Sequence, residues 1–288
     1  ATVTPTSSVT PTITPTTTQT PTNSPTSSVT PTIPPTSTIT PSITPTITPS
    51  VSVLGDTNNM QLIVEVVDAA VTSQSTLTVL LDPTDTCVIN WGDGEVQYVT
   101  NEQPSIYTHT YSANGVYRAS IINPIQRISF YGSVVLTHVL SWGNSPELAR
   151  FPGYGMFEQC INLVGIPSVF PANLVLAVSM FSGCRKLGSI PIDLSGWDTT
   201  SIGNARSMFK GCISLGMYGP VGIRYWNLPY LSEASSMFEG CVSLNEPISW
   251  NLPSLSKVDY MFRSCSLLNS DISMQNMTSL SNIYAMFM

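Results

Sequence analysis

The sequence predicts a multi-domain chain of three unlike parts: an extended Thr/Pro arm over residues 1–53, an all-β sandwich over 54–123 and a mixed α/β solenoid over 124–288. Three observations predict it. No charged residue precedes Asp56, and up to residue 53 Thr or Ser alternates with apolar residues and proline. Short β-branched runs separated by turn signals follow. After them Met-Phe recurs six times, and the first five copies are followed by Cys and Leu at near-constant offsets.

The arm comes first. Residues 1–50 hold 20 Thr, 8 Ser and 11 Pro, a composition that cannot build a core. The order of residues adds a direction. Every even position from Thr2 to Ser52 is Thr or Ser except Pro34, while Val, Ile and Pro dominate the odd positions. A period of two belongs to an extended strand with two faces; a polyproline II helix, with three residues per turn, would mix them. Ten of the eleven prolines are odd, so the missing N–H groups fall on one edge and the other edge keeps its donors for pairing. Residues before proline are also pushed toward extended backbone. The hydroxyl face suits O-linked glycans, with Thr2, Thr4, Thr10, Thr12, Thr14, Thr30, Thr32, Thr40, Thr44, Thr46 and Thr48 as candidates. The other face, with Ile39, Ile43, Ile47 and Val51, suits a protein surface. At about 3.3 Å per residue the arm reaches roughly 170 Å.

From 54 to 123 the runs Gln61–Val67, Ser75–Leu81, Thr86–Trp91, Thr108–Tyr111 and Val116–Ile122 read as strands. Trp91-Gly92-Asp93-Gly94, then His109-Thr110-Tyr111, then Gly115-Val116-Tyr117, resembles the PKD (polycystic kidney disease) domain, with its W-G-D-G turn followed by H-x-Y-x-x-x-G-x-Y. The resemblance implies an immunoglobulin-like sandwich used as a spacer or adhesion module in extracellular proteins. It also implies that Asp93, Glu95 and His109 form a turn and a buried hydrogen-bond partner rather than an acid–base or metal set. No second His or Cys stands near them at ligand spacing.

Internal repeats decide the remainder. Met156-Phe157, Met180-Phe181, Met208-Phe209, Met237-Phe238, Met261-Phe262 and Met286-Phe287 are spaced by 24, 28, 29, 24 and 25 residues. Cys160, Cys184, Cys212, Cys241 and Cys265 follow three residues after the first five Phe, and Leu163, Leu187, Leu215, Leu244 and Leu268 three later. A coil of this length cannot bury its own apolar face, but stacked coils turn each motif position into a ladder. Helical tendency around Ser-Met-Phe-x-Gly-Cys and extended pieces such as Ser189–Ile192 predict mixed α/β coils. The pattern resembles the BspA-type leucine-rich repeats of surface proteins, the DUF285 family. That resemblance implies a leucine-rich-type solenoid in a secreted or cell-surface protein used in attachment or assembly, without a catalytic site. Six cysteines in a secreted chain usually mean disulfides. Five of these occupy equivalent coil positions, which favours parallel free thiols packed as small core residues. Cys87, on a core strand, has no obvious partner.

Charge narrows the functions. Only 9% of residues are charged and the net charge is −7, against about 25% charged in ordinary soluble domains. Nucleic-acid binding needs a basic stripe that is missing. No apolar run is long enough to span a bilayer as a helix. Glycoside hydrolysis needs two positioned carboxylates, and Glu158, Asp193, Asp198, Glu233, Glu239, Glu246, Asp259 and Asp271 stand at scattered repeat offsets. No enzyme activity, cofactor or metal is expected, only covalent glycans; Asn276-Met277-Thr278 is a lone N-glycosylation sequon. With neither an initiator Met nor a signal peptide, the chain reads as mature or trimmed. It stops in mid-repeat, so Met286, Phe287 and Met288 either continue into further chain or dock on another copy. A head-to-tail contact that does not close makes a filament. The expected function is a structural subunit of an extracellular filament or surface appendage, with a glycosylated arm lying along neighbouring copies. The alternative is a monomeric cell-surface adhesin on a glycosylated stalk.

Overall fold

The computed structural model describes residues 59–83, 86–100, 103–122, 125–143, 155–170, 174–281 and 283–287. They fall within one compact unit, Val53–Met288. The arm, its Thr candidates, Ile39, Ile43, Ile47, Val51 and Met288 lie outside the described residues.

Eight strands come first: β1 Met60–Val66, β2 Thr76–Pro83, β3 Cys87–Asn90, β4 Val96–Val99, β5 Ser105–Thr110, β6 Gly115–Ile122, β7 Ile125–Ser129 and β8 Leu136–Trp142. One sheet has the order β4-β3-β6-β1-β8 and the other β5-β2-β7. Period-two patterning sets the faces. Met60, Leu62, Val64 and Val66 of β1 and Leu77, Val79 and Leu81 of β2 point into one shared core. The boundary expected at residue 123 cuts this arrangement short. β7 pairs antiparallel with β2, and β8 pairs antiparallel with β1. Nor is β8 a free edge: His138 forms a parallel bridge to Gly165, so the larger sheet runs on into the repeats.

The α/β leucine-rich solenoid expected over 124–288 is not what forms. Among the described residues there is no α-helix; the helical pieces are two 3-10 turns, Thr72–Gln74 and Ile223–Tyr225. Regular structure in the repeats is β9 Ile248–Asn251 paired in parallel with β10 Ile272–Gln275. Parallel single bridges also run from Leu176 to Asn204 to Glu233 to Lys257. The segments read as helical are tight turns, and backbone handedness explains why. Two residues before each repeat Phe, Gly155, Ser179, Ser207, Ser236, Tyr260 and Ala285 have φ between 48° and 67°. Two residues after it, Gln159, Gly183, Gly211, Gly240 and Ser264 have φ between 60° and 77°. A right-handed helix cannot pass through left-handed residues, so each of the first five Met-Phe pairs sits between two reversals. The consequence is a stack of turn-rich repeats.

Close approach between repeats fixes other positions. At Gly188 (φ +88°) an added Cβ would lie 2.8 Å from the Ser214 carbonyl oxygen, and at Gly216 (φ +89°) 2.9 Å from that of Ser243. Gly188→Ala is therefore expected to lose about 1–3 kcal/mol from combined backbone and packing strain. Gly94→Ala, at φ +104° with open space around it, should lose only the backbone part. Urea midpoints of the two variants check the difference.

Candidate functional site: the repeat stack and its charged face

Met, Phe, Cys and Leu of the first four motifs are all buried. Phe157, Phe181, Phe209 and Phe238 are fully buried. Their rings stack nearly parallel with centroids 5.4–5.7 Å apart, and the column continues to Phe262 and Phe287. The backbone repeats the same register. The Phe157 N–H donates to the Met180 carbonyl, Phe181 to Met208, Phe209 to Met237, Phe238 to Met261 and Phe262 to Met286, over 2.8–3.0 Å. A column of Trp197, Trp226 and Trp250 lies beside the Phe column. Each indole N–H donates to a carbonyl of the preceding repeat: Pro167, Leu194 and Ile223.

The five ladder cysteines form a third column. Each thiol donates to the carbonyl of the Phe one repeat earlier: Cys160 to Phe130, Cys184 to Phe157, Cys212 to Phe181, Cys241 to Phe209 and Cys265 to Phe238, at 3.0–3.1 Å. All six cysteines are free and buried. Burial pushes Cys160 up to about 12, Cys87 and Cys265 up to about 11, and Cys184, Cys212 and Cys241 well above the ordinary thiol value. Because the thiolate is the nucleophile, iodoacetamide at pH 8 should leave all six unmodified in the folded protein. All six should react in denaturant, and intact-mass measurement reads both states.

The first rung belongs to the sandwich. Ser129-Phe130, Ser133 and Leu136 reproduce the motif spacing with Ser in place of Met and Cys. Phe130 stacks on Phe157 at 5.5 Å, and its N–H donates to the Met156 carbonyl. Trp142 closes the aromatic column, its indole donating to the Val169 carbonyl. The strand that ends the sandwich thus caps the stack, giving the first repeat a partner for its apolar face.

Polar side chains gather on one face. Lys210, Glu239 and Arg263 each follow a ladder Phe and so lie one above another. Lys210 Nζ is 2.8 Å and an Arg263 guanidinium nitrogen 3.5 Å from the Glu239 carboxylate, while Lys257 lies 3.8 Å from Glu233. Burial pushes Glu239 up, but the Lys210 and Ser236 hydrogen bonds and the two cations outweigh it and hold the carboxyl below its usual value. With Asp259 and Tyr260 they line a cleft of about 520 Å³. Of the other acids, Glu246 is fully buried and accepts the N–H groups of Val221, Gly222 and Arg224. Asp93 accepts from His109 at 2.7 Å and Glu95 lies 3.5 Å from the same ring, which stacks on Trp91. That trio braces the turn between β3 and β4. The sequon Asn276 donates its side-chain amide to Asn251. Met286 packs against the core, and Phe287 remains 55% exposed.

Fold and face together define a turn-rich repeat protein whose interior is given over to stacking. Residues 155–217 and 176–288 match the family model described as Mycoplasma protein of unknown function, DUF285. The match supports the resemblance drawn from the Met-Phe repeats, and it covers neither the sandwich nor residues 1–53. No curated protein and no solved structure matches the chain. Among the described residues no helix is long and apolar enough to cross a membrane.

Proposed function

We propose that this chain is a structural subunit of an extracellular filament or surface appendage, with residues 1–53 as an O-glycosylated arm lying along neighbouring copies. The observation that carries this reading is the single register held from Phe130 to Phe287, in which rings, thiols, indoles and backbone all repeat together. The large buried side chains of the repeats serve cohesion, as a load-carrying module requires. The PKD resemblance and the surface-protein resemblance of the repeats point to the outside of a cell. The strict two-residue alternation of the arm supplies a pairing edge and a hydroxyl face.

Negative-stain electron microscopy of the full chain and of a chain lacking residues 1–53 tests the assembly. Filaments from the full chain alone support it; identical filaments from both leave the arm a mere stalk. Glycopeptide mass spectrometry tests the sugars, and an unmodified arm removes that half of the reading. The charged cleft over Lys210, Glu239 and Arg263 favours a second reading, a monomeric adhesin on a glycosylated stalk. A monomer mass by light scattering at all concentrations would select it.

A further inference from the structure

A cavity of about 600 Å³ opens where the sandwich meets the first repeats. Its volume lies within the roughly 300–1,000 Å³ of small-molecule sites. Val134, Ile161 and Val164 form an apolar wall, and Glu65, His138 and Lys186 converge on it from β1, β8 and the second repeat. Among the described residues Glu65 and Lys186 enter no salt bridge, unlike Glu233, Glu239 and Glu246.

His138 is held in place. The Thr137 hydroxyl donates to the Ile63 carbonyl, so its lone pair takes the His138 Nδ1 proton at 3.2 Å. This assignment rests on the hydrogen-bond network, and it leaves Nε2 as an acceptor. The ring lies against the backbone of the first repeat: a Cβ on Gly165 would come within 2.8 Å of its Cδ2. Burial lowers the His138 pKa, against a smaller opposing pull from Glu65. The cavity therefore offers one carboxylate, one ammonium, one fixed neutral acceptor and an aliphatic wall.

We propose that this cavity binds a short aliphatic peptide through both of its free ends. Glu65 receives the α-ammonium, Lys186 the α-carboxylate, and His138 Nε2 a backbone N–H, while the side chains cover Val134, Ile161 and Val164. A carboxylate and an ammonium lining one cavity favour a zwitterion over a simple cation, anion or neutral sugar. The site goes beyond the assembly reading and does not depend on it.

Calorimetric titration of the full chain with the tripeptide Val-Ala-Leu, its N-acetyl form and its C-terminal amide tests the proposal. Saturable binding of the free tripeptide is expected, weakened at least tenfold by either block. In Glu65→Gln the acetylated and free peptides should bind alike, and in Lys186→Met the amide and free peptides should. Both side chains are exposed, so these variants keep the fold. No heat up to millimolar peptide, or binding indifferent to the end blocks or to both substitutions, overturns it.

Discussion

Phe209→Ala should destabilise the protein by about 3–5 kcal/mol, the usual cost of emptying a buried phenylalanine site. The expected loss is at the upper end of that range because the ring is fully buried and has aromatic neighbours on both sides. Phe181 lies 5.4 Å away, Phe238 5.7 Å and Trp226 6.2 Å. The flanking repeats are tied by hydrogen bonds from Phe181 to Met208 and from Phe209 to Met237, so they cannot collapse far into the vacancy. Phe209→Leu, which keeps much of the volume, should lose less. A double-mutant cycle of Phe209 with Phe238 should give a coupling of about 0.5–1.5 kcal/mol, the value for a stacked pair beyond its area burial. Urea unfolding of wild type, Phe209→Leu and the three variants of the cycle measures all of this. A loss below about 1 kcal/mol for Phe209→Ala, well under the usual range, would mean the column is not cohesive.

Glu246→Ala carries the second large effect. Its carboxylate is fully buried and accepts from Val221 at 3.0 Å, Gly222 at 3.1 Å and Arg224 at 3.3 Å; the Arg224 guanidinium is 3.7 Å away. The Gly222 backbone is left-handed at φ 90°, which aims consecutive N–H groups at one point as the chain enters the turn Ile223–Tyr225. Removing the carboxylate leaves these donors buried without a partner and should cost about 3–5 kcal/mol. Glu246→Gln keeps one accepting oxygen but turns an NH2 group toward N–H donors, so about 1–3 kcal/mol is expected. Equal stability of wild type and Glu246→Ala in urea would show that water replaces the carboxylate.

Side-chain periodicity makes much of this legible in the sequence. Phe157, Cys160 and Leu163, and their equivalents through Leu244, are buried where the motif spacing puts them. Four features are not legible there, each for a physical reason. The helices expected around Met-Phe fail because handedness is a backbone property; Gly183, Gly211 and Gly240 announce it, but Gln159, Ser207 and Tyr260 take left-handed φ values without a sequence signal. Phe130 is hidden because Ser129 and Ser133 replace the Met and Cys of its copy, although Phe130 and Leu136 keep the spacing. The boundary at 123 falls early because β8 has two partners, pairing with β1 on one side and bridging to Gly165 on the other. Glu246 reads as one more scattered acid, since its partners are backbone groups some two dozen residues away.

That double role of β8 joins the sandwich to the repeats, and the proposed role as a structural subunit requires the two to behave as one mechanical body. Native-state hydrogen exchange at the ladder amides tests this most directly, because openings of separate units appear as separate free energies. The N–H groups of Phe130, Phe157, Phe181, Phe209 and Phe238 all donate across a repeat boundary. They should exchange through one shared opening, with the same free energy and denaturant dependence as core amides of β1. If Phe130 exchanges with β1 while Phe157 to Phe238 open together at a distinctly lower free energy, the stack is a separate unit and the account is contradicted.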